Sequence, residues 1–215
     1  MECLNKPKQD AYDSLGPRVV KALESRHFEG WYFSTVEEAK EKVLALIGKD
    51  KSVGWGGSFT LAQTGILDEI KKSGCKVIDR DTAKDKAERK QIQREALAAD
   101  YFIMSANAIS EDGIIVNLDG NGNRAAAMVY GPDNVIVVAG MNKICKTVED
   151  AVARTRNIAA PINAQRFDIK TPCKKNGSCE NCKSADSICA SLVISRLSFP
   201  AGKIKVILIG KDLGF

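Results

Sequence analysis

Four cysteines crowd one stretch of the chain with the spacing of a metal site. Cys173, Cys179, Cys182 and Cys189 lie within seventeen residues. A Cys-x2-Cys pair lets two thiolates bind one metal from a tight turn, and two flanking cysteines complete a tetrahedral set. Four unrelated thiols are a poor alternative, because free cysteines usually lie in apolar cores and this segment is polar. The spacing predicts an all-thiolate metal site.

The identity of that metal stays open between a 4Fe-4S cluster and a structural zinc ion. One close pair with two more distant cysteines slightly favours iron–sulfur, since zinc ribbons usually contain two close pairs. Nearby lysines would offset the negative charge of either site, so charge does not discriminate; they are Lys170, Lys174, Lys175 and Lys183. The only histidine is His27, which excludes sites that require two imidazoles and is best interpreted as a surface or helix-capping residue.

A second candidate is a glycine-rich loop between a predicted strand and a predicted helix. It has the sequence Gly-Trp-Gly-Gly-Ser-Phe-Thr over residues 54–60. Backbone amides of Gly56 and Gly57, the hydroxyls of Ser58 and Thr60, and a helix N-terminus would together bind a phosphate or carboxylate. The loop lacks the lysine of a P-loop and the spacing of a dinucleotide fingerprint, so neither ATP nor NAD is indicated. A tight turn made only for packing is an equally weighted alternative.

Further polar residues follow other predicted strands. Asn107, Asn123 and Arg124 lie in the polar segment 105–124, and Arg124 has the guanidinium fork that holds carboxylates and phosphates in a bidentate grip. Lys143 comes shortly after the run 135–139 and would meet the same anion, although a lysine taken in isolation is usually solvated. Because open α/β sheets bind ligands at the carboxyl ends of their strands, we expect one anion pocket here. No complete catalytic set is visible.

The elements that must position these residues alternate between helices and short apolar runs, which is typical of an α/β fold. Predicted strands are 52–55, 75–79, 101–105, 135–139 and 203–209, with a hairpin over 109–117 that turns at Glu-Asp-Gly. Predicted helices cover 11–26, the stretch up to 72, and 81–100. Another covers 35–48, with a capping box of Thr35 and Glu38 at its start and Gly48 at its end, and a last one is capped by Thr147 with Asp150 and ended by Pro161. We therefore expect an open, mainly parallel sheet flanked by helices, with a Cys-rich loop (170–190) inserted near the C-terminus.

Length and composition narrow the class of protein. The 215 residues, 44% hydrophobic and 27% charged, are those of an ordinary globular protein. A net charge of +5 with interleaved signs and few aromatics does not indicate nucleic-acid binding. Apolar runs are too short for a membrane span, and the polar start of the chain predicts no secretory signal. Seven cysteines without such a signal favour a reducing, cytoplasmic location. Cys3, Cys75 and Cys145 have no assigned role, although packing is the simplest interpretation for Cys75.

The domain organisation predicted from these patterns has two parts. Residues 1–50 form an N-terminal helical segment packed on the main domain, and residues 51–215 form that domain, including the Cys-rich loop. The chain contains no internal repeats and no low-complexity tracts.

Most of the chain resembles the LUD-domain family, the lactate utilization proteins. The resemblance is carried by segments 52–65, 105–124, 135–143, 151–154 and 172–189. It implies a fold similar to those of ribose-5-phosphate isomerase, glucosamine-6-phosphate deaminase and the CoA transferases. It also implies association with oxidation of L-lactate, or a related 2-hydroxyacid, to pyruvate through iron–sulfur partner proteins.

One departure from the wider superfamily bears on the reaction. The segment that begins at Ser105 is similar to the one that carries a catalytic aspartate in methylthioribose-1-phosphate isomerase, and the matching residue here is Asn107, which cannot exchange a proton at neutral pH. The leading hypothesis is thus an iron–sulfur subunit or accessory component with an anion pocket, in a homo-oligomer. The alternative is an isomerase or transferase for a phosphorylated or CoA-linked small molecule with a structural zinc, which needs a carboxylate from Glu111, Asp112 or Asp119.

Overall fold

The computed structural model describes residues 6–215, which form two β-sheets and nine α-helices. The main sheet has six strands, all parallel, in the order β1-β10-β7-β4-β2-β3. These strands are β1 (Glu29–Phe33), β2 (Ser52–Trp55), β3 (Lys76–Ile78), β4 (Tyr101–Met104), β7 (Asn134–Gly140) and β10 (Ile204–Ile209). The expected open parallel sheet is confirmed.

The helices cover both faces of the main sheet. They are α1 (Lys6–Ser25), α2 (Val36–Ile47), α3 (Phe59–Thr64), α4 (Ile66–Lys72), α5 (Lys86–Glu95), α6 (Asn123–Val129), α7 (Val148–Arg154), α8 (Ala160–Ala164) and α9 (Pro172–Asn176). Along the central strand β7, Val135 and Val137 face the core under α1 and α6, whereas Ile136 and Val138 face the core under α2 and α4. This burial on both faces is why β7 consists of a continuous apolar run.

A second, four-stranded sheet packs beside the first. It consists of β5 (Ala108–Ser110), β6 (Ile115–Asp119), β8 (Ile144–Cys145) and β9 (Ser191–Ser195), in the order β8-β5-β6-β9. The predicted hairpin turn lies between β5 and β6, and Gly113 has the positive φ of 85° that this turn requires. The strand β9 was not predicted, because its residues include two exposed apolar side chains and follow a polar loop.

The helix that follows Thr147 extends further than its sequence indicates. The predicted capping box between Thr147 and Asp150 is present. The prediction that Pro161 ends this helix was wrong, because a π-helical turn at 155–159 leads from α7 into α8 and places Pro161 near the start of α8. Residues 148–164 thus form one continuous helical stretch, and the π-helical turn is the irregularity that directly precedes this proline.

The N-terminal segment contributes to the main sheet as well as to its covering helices. Residues 6–50 contain α1 and α2, and between them β1 pairs with β10 at one edge of the sheet. Thr35 caps α2 by accepting a hydrogen bond from the backbone N–H of Glu38, and Gly48 ends it, as predicted. Within residues 6–215, none of the helices has the length and apolar character needed to cross a membrane.

Candidate functional site

The carboxyl ends of β2, β4 and β7 meet the second sheet at a large polar cavity of about 910 Å³, here called the arginine cavity. It lies where the chain passes from β4 in the main sheet to β5 in the second sheet. All eight residues selected from sequence line it: Gly56, Gly57, Ser58, Thr60, Asn107, Asn123, Arg124 and Lys143. The structure thus brings the predicted set together, and its role in ligand binding stays a prediction.

Two glycines of the loop make room for arginine side chains. A methyl group on Gly56 would collide with the aliphatic stem of Arg124, and one on Gly57 would collide with the guanidinium group of Arg80. Gly56 is buried and neither glycine has a positive φ, so close approach is the reason for glycine here. The loop therefore shapes the cavity by letting two cations lie against its backbone.

The helix α3, which follows the glycine-rich loop, is a weaker anion site than its sequence suggests. The helix α3 has only six residues, so its dipole is small. The Ser58 hydroxyl accepts a hydrogen bond from the backbone N–H of Leu61 at 3.2 Å and caps this helix. Thr60 is 1% exposed and its hydroxyl faces Lys143. Both hydroxyls thus have protein partners.

Arg124 is held in place by a buried network. Its Nε donates to Asp119 Oδ1 at 2.7 Å, and its terminal nitrogens donate to the carbonyl oxygens of Leu118 and Ser105 and to Asn107 Oδ1. Asp119 also accepts from the backbone N–H of Ala125, at the first turn of α6. Because the carboxylate neutralises the guanidinium, Arg124 shapes the cavity wall more than it adds net charge, and its bidentate grip on an anion stays a prediction.

Lys143 is buried rather than solvated. The short helical turn 141–143 after β7 leaves this side chain 4% exposed. Its Nζ donates to Thr60 Oγ1 at 2.8 Å, Ser105 Oγ at 3.0 Å and the carbonyl oxygen of Ala106 at 3.1 Å. Burial, followed by repulsion from Arg154 and Arg124, lowers the pKa of Lys143 to about 7.

Three further arginines line the cavity and were missed from sequence: Arg80, Arg89 and Arg166. Burial is the main cause that lowers the pKa of Arg80; Asp81 opposes this shift, and the positive charges of Arg89, Arg124 and Arg166 add to it. The Nε atom of Arg80 is buried without a hydrogen-bond partner among residues 6–215. Arg80 follows a predicted strand directly. A basic residue just after a predicted strand is the signal that selected Lys143, and the same signal could have found Arg80.

Aromatic rings form one side of the cavity. Phe59 and Phe215 stack with ring centroids 4.9 Å apart, and the guanidinium of Arg166 lies over both rings, at 5.6 and 6.0 Å. Phe167 also lies on this side, with the same guanidinium 5.7 Å from its centroid. This wall presents flat apolar surface beside positive charge.

The charge of the cavity is positive overall. Five basic side chains line it, Arg80, Arg89, Arg124, Lys143 and Arg166, against three acidic ones, Asp81, Asp119 and Asp186. Two other carboxylates considered from sequence lie elsewhere: Glu111 pairs with Lys146, and Asp112 pairs with Arg26. The arrangement favours an anion as ligand.

A second cavity of about 260 Å³, here called the cysteine cavity, is lined by all four clustered cysteines, Cys173, Cys179, Cys182 and Cys189. Burial, and then the negative charges that Cys173, Cys179 and Cys182 would carry, raise the pKa of Cys189. The four thiols thus lie close enough to influence one another. Within residues 6–215, no set of three or more Cys, His, Asp or Glu side chains is arranged so that it could hold a metal as it stands.

The loop that carries these cysteines is attached to its surroundings at a few points. Arg156 donates to Asn181 Oδ1 at 2.7 Å, and Gln165 Nε2 donates to the carbonyl oxygen of Cys173 at 3.1 Å. Lys174 donates to the carbonyl oxygens of Gln165 and Phe167, which follow α8, so its ammonium group already has protein partners. The donor set suits a thiophilic metal, since it offers four thiols and no imidazole.

The two cavities share a wall. Leu118, Ser187, Ile188 and Ala190 line both of them. The Cys-rich loop is therefore part of the arginine cavity's boundary as well as the carrier of the thiols.

Cys75, Cys145 and His27 lie outside both cavities. Cys3 lies outside the described residues, while Cys75 and Cys145 are half-buried free thiols. His27 is exposed with a φ of 64° at the turn that ends α1, in agreement with its interpretation as a surface or capping residue.

Fold and site together define a two-sheet α/β protein with a basic cavity at the carboxyl edge of its parallel sheet and a thiol-lined loop beside it. The family model of the LUD domain matches residues 16–209. The chain belongs to the LUD-domain family, which makes it a lactate-utilization-type protein in general terms.

One solved structure is similar to this chain over most of its length and supports the fold. A DUF162 family protein from Deinococcus radiodurans is similar with a TM-score of 0.52 and 15% identity, over 92% of this chain and 98% of that one. Ribose 5-phosphate isomerase from Plasmodium falciparum (TM-score 0.32, 14% identity, 52% of each chain) and eIF2B beta from Chaetomium thermophilum (TM-score 0.36, 15% identity, 51% of this chain and 39% of that one) are more distant. No curated protein matches the sequence.

Proposed function

We propose that this protein takes part in the oxidation of L-lactate, or a related 2-hydroxyacid, by holding the acid or its 2-oxoacid product in the arginine cavity. The observation that carries the proposal is the excess of basic over acidic side chains around one cavity at the carboxyl edge of the sheet. Membership of a family associated with lactate utilization supports the choice of ligand.

Arg80 is the cation best suited to hold the carboxylate. Its side chain is 16% exposed, and the nearest carboxylate oxygen, on Asp81, lies 3.7 Å from its Nε. Arg124, in contrast, is already paired with Asp119. The part of the Arg80 guanidinium that faces the cavity would pair with the ligand carboxylate, since Asp81 lies beyond hydrogen-bonding distance of its Nε atom.

Isothermal titration calorimetry with L-lactate, pyruvate and acetate tests this proposal. Replacing Arg80 by Met should weaken binding of lactate or pyruvate by roughly 10–100-fold, because a charge-assisted hydrogen bond is lost. The matched control is Arg196→Met, since Arg196 is exposed and does not line the cavity. Absence of binding in the wild type, or equal affinities of the two variants, would contradict the proposal.

We also propose that Cys173, Cys179, Cys182 and Cys189 hold a 4Fe-4S cluster. Support comes from their common cavity and from the wall that this cavity shares with the arginine cavity. Such a cluster supplies one-electron transfer when bound. The protein's own residues would hold it through thiolates and separate it from the arginine cavity by Leu118 and Ile188.

Metal analysis of anaerobically purified protein distinguishes the two metals left open by the sequence. Iron and labile sulfide with a brown colour would support the cluster. Colourless protein with stoichiometric zinc would overturn the electron-transfer role and leave the metal a structural one. Redox partner proteins and a homo-oligomeric state stay predictions from the family resemblance.

A second candidate function is favoured by the size of the arginine cavity. A volume of about 910 Å³ lies near the upper end of what small-molecule sites enclose, and the stacked phenylalanines add a flat apolar wall. This suits a phosphorylated or CoA-linked ligand handled by an isomerase or transferase. Displacement of pyruvate by coenzyme A or ribose 5-phosphate in the same calorimeter would favour this alternative, and failure of both to compete would count against it.

A further inference from the structure

Lys143 is the most deeply buried of the five cations that line the arginine cavity, with 4% of the residue exposed. Its Nζ contacts two hydroxyls and one carbonyl oxygen, and it forms no ion pair with a carboxylate of residues 6–215. A buried ammonium without a counter-ion is costly, because desolvation is not offset by an opposite charge. The site thus favours the neutral amine far more than an exposed lysine would.

The surroundings of Lys143 add to this effect. The cations that act on it are Arg154 from α7 and Arg124 from α6. Arg124 is paired with Asp119 of β6. In the part of the chain that the structure describes, Arg154 donates to three carbonyl oxygens, those of Asn107, Asn142 and Phe215, and pairs with no carboxylate. The half-buried thiol of Cys145 lies two residues along the chain. Desolvation next to another cation is one of the ways in which proteins activate a lysine as a nucleophile.

We propose that Lys143 forms an imine with the carbonyl carbon of a 2-oxoacid held in the arginine cavity. This inference rests on the proposed function, since it assigns a specific chemistry to the product of 2-hydroxyacid oxidation. A 2-oxoacid has a carboxylate and an adjacent ketone. The cavity supplies arginines for the carboxylate and the amine of Lys143 for the ketone.

The chemical step balances without an external oxidant or reductant. The lone pair of Nζ attacks the carbonyl carbon, a C–N bond forms, and a proton moves from nitrogen to the former carbonyl oxygen. The second proton of the nitrogen then moves to the new hydroxyl group, the C–O bond breaks, water leaves, and the neutral imine remains. The hydroxyls of Thr60 and Ser105 lie 2.8 and 3.0 Å from Nζ and 3.3 Å from each other, so they are placed to pass these protons.

Neutral amine is far more abundant at Lys143 than at an ordinary lysine. With a pKa of about 7 against a reference of 10.5, the neutral fraction at neutral pH is roughly a thousandfold larger. Selective reaction at one lysine among many is therefore expected.

Reductive trapping tests the inference. Full-length protein is incubated with pyruvate and sodium cyanoborohydride, which reduces the C=N bond of an imine to a secondary amine, and peptides are then mapped by mass spectrometry. Lys143 should be modified at least about tenfold more than Lys203. Lys203 is a fair internal control, because it is 7% exposed and its pKa is also lowered by burial, yet it does not line the arginine cavity.

Two further control experiments distinguish failure of the imine proposal from failure of the proposed function. L-Lactate, which has no ketone, should give no adduct, and Lys143→Arg should abolish labelling while keeping a positive charge. If pyruvate binds in calorimetry but Lys143 is not labelled above Lys203, the imine is overturned and the proposed function stands. If pyruvate does not bind at all, the proposed function fails first. Comparison of the two lysines needs only the wild type, so a variant that does not fold leaves the test intact.

Discussion

The arginine cavity and the cysteine cavity share a wall but are built in different ways. In the arginine cavity the key side chains follow strand ends or short helical turns and are fixed by hydrogen bonds to residues distant in sequence, such as Lys143 to Thr60 and Arg124 to Asp119. In the cysteine cavity the four thiols belong to one loop that is attached at a few points.

This difference indicates which of the two cavities needs a ligand in order to form. Strand ends of a buried sheet are held by the packing of the whole domain, so the arginine cavity is organised by the protein alone. A loop that brings thiols near one another without ligating geometry gains its final arrangement from the metal that binds there. Four predictions test this contrast.

The largest effect is expected when the pair that organises the arginine cavity is broken. Asp119→Asn leaves the Arg124 guanidinium buried without its counter-ion, since the two side chains are 6% and 13% exposed. We expect the free energy of unfolding to fall by about 3–5 kcal/mol in urea denaturation. The control is Glu111→Gln, which breaks the exposed pair with Lys146 and should cost less than about 1 kcal/mol. Equal losses in the two variants would show that the buried pair does not organise the domain.

Removing a thiol should affect the cysteine cavity much more than the arginine cavity. Cys182→Ser should lower the affinity for the bound metal by at least about 100-fold, because removing a ligand costs more than disturbing an outer partner. Pyruvate binding should change much less, since the Cys-rich loop supplies part of the wall of the arginine cavity but none of its basic side chains. Cys75→Ser, a half-buried thiol outside the cluster, should leave metal content unchanged. The readouts are metal analysis and calorimetry, and a matching loss in both variants would refute the assignment of the ligands.

The rate of trapping at Lys143 should follow the neutral amine. Because the neutral form is the nucleophile, the rate rises as pH increases through about 7 and then levels off. Between about pH 5 and about pH 8 the increase should be roughly a hundredfold. Exposed lysines should instead become steadily more reactive towards their usual pKa of 10.5. A profile at Lys143 that does not level off would show that burial leaves this amine unperturbed.

The smallest effects are expected when either glycine of the loop, Gly56 or Gly57, is replaced by alanine. Gly56→Ala drives a methyl group against the stem of Arg124, which Asp119 anchors, and should cost about 1–2 kcal/mol of unfolding free energy. Gly57→Ala meets the far end of Arg80, which can move, so stability should change by less than about 1 kcal/mol while pyruvate binds more weakly. The opposite ranking in denaturation experiments would mean that Arg124 is free to shift.

Much of the fold could be predicted from sequence because its signals are local. The cap at Thr35, the turn at Gly113 and the continuous run in β7 each depend on a few neighbouring residues, and all three are present in the structure. The elements that escaped this reasoning include the π-helical turn that carries the chain past Pro161, the short helices α6 and α9, and the edge strand β9, whose three consecutive apolar residues show no alternation.

The sequence by itself determined where polar residues follow strands and how the cysteines are spaced, which was enough to locate both cavities. Only the tertiary structure decided the state of each charge. Arg80, Arg89 and Arg166 come from separate elements, and Lys143 finds its hydroxyl partner Thr60 eighty-three residues away. Burial and pairing depend on contacts between distant parts of the chain, and they set whether a cation is neutralised, as in Arg124, or left without a counter-ion, as in Lys143.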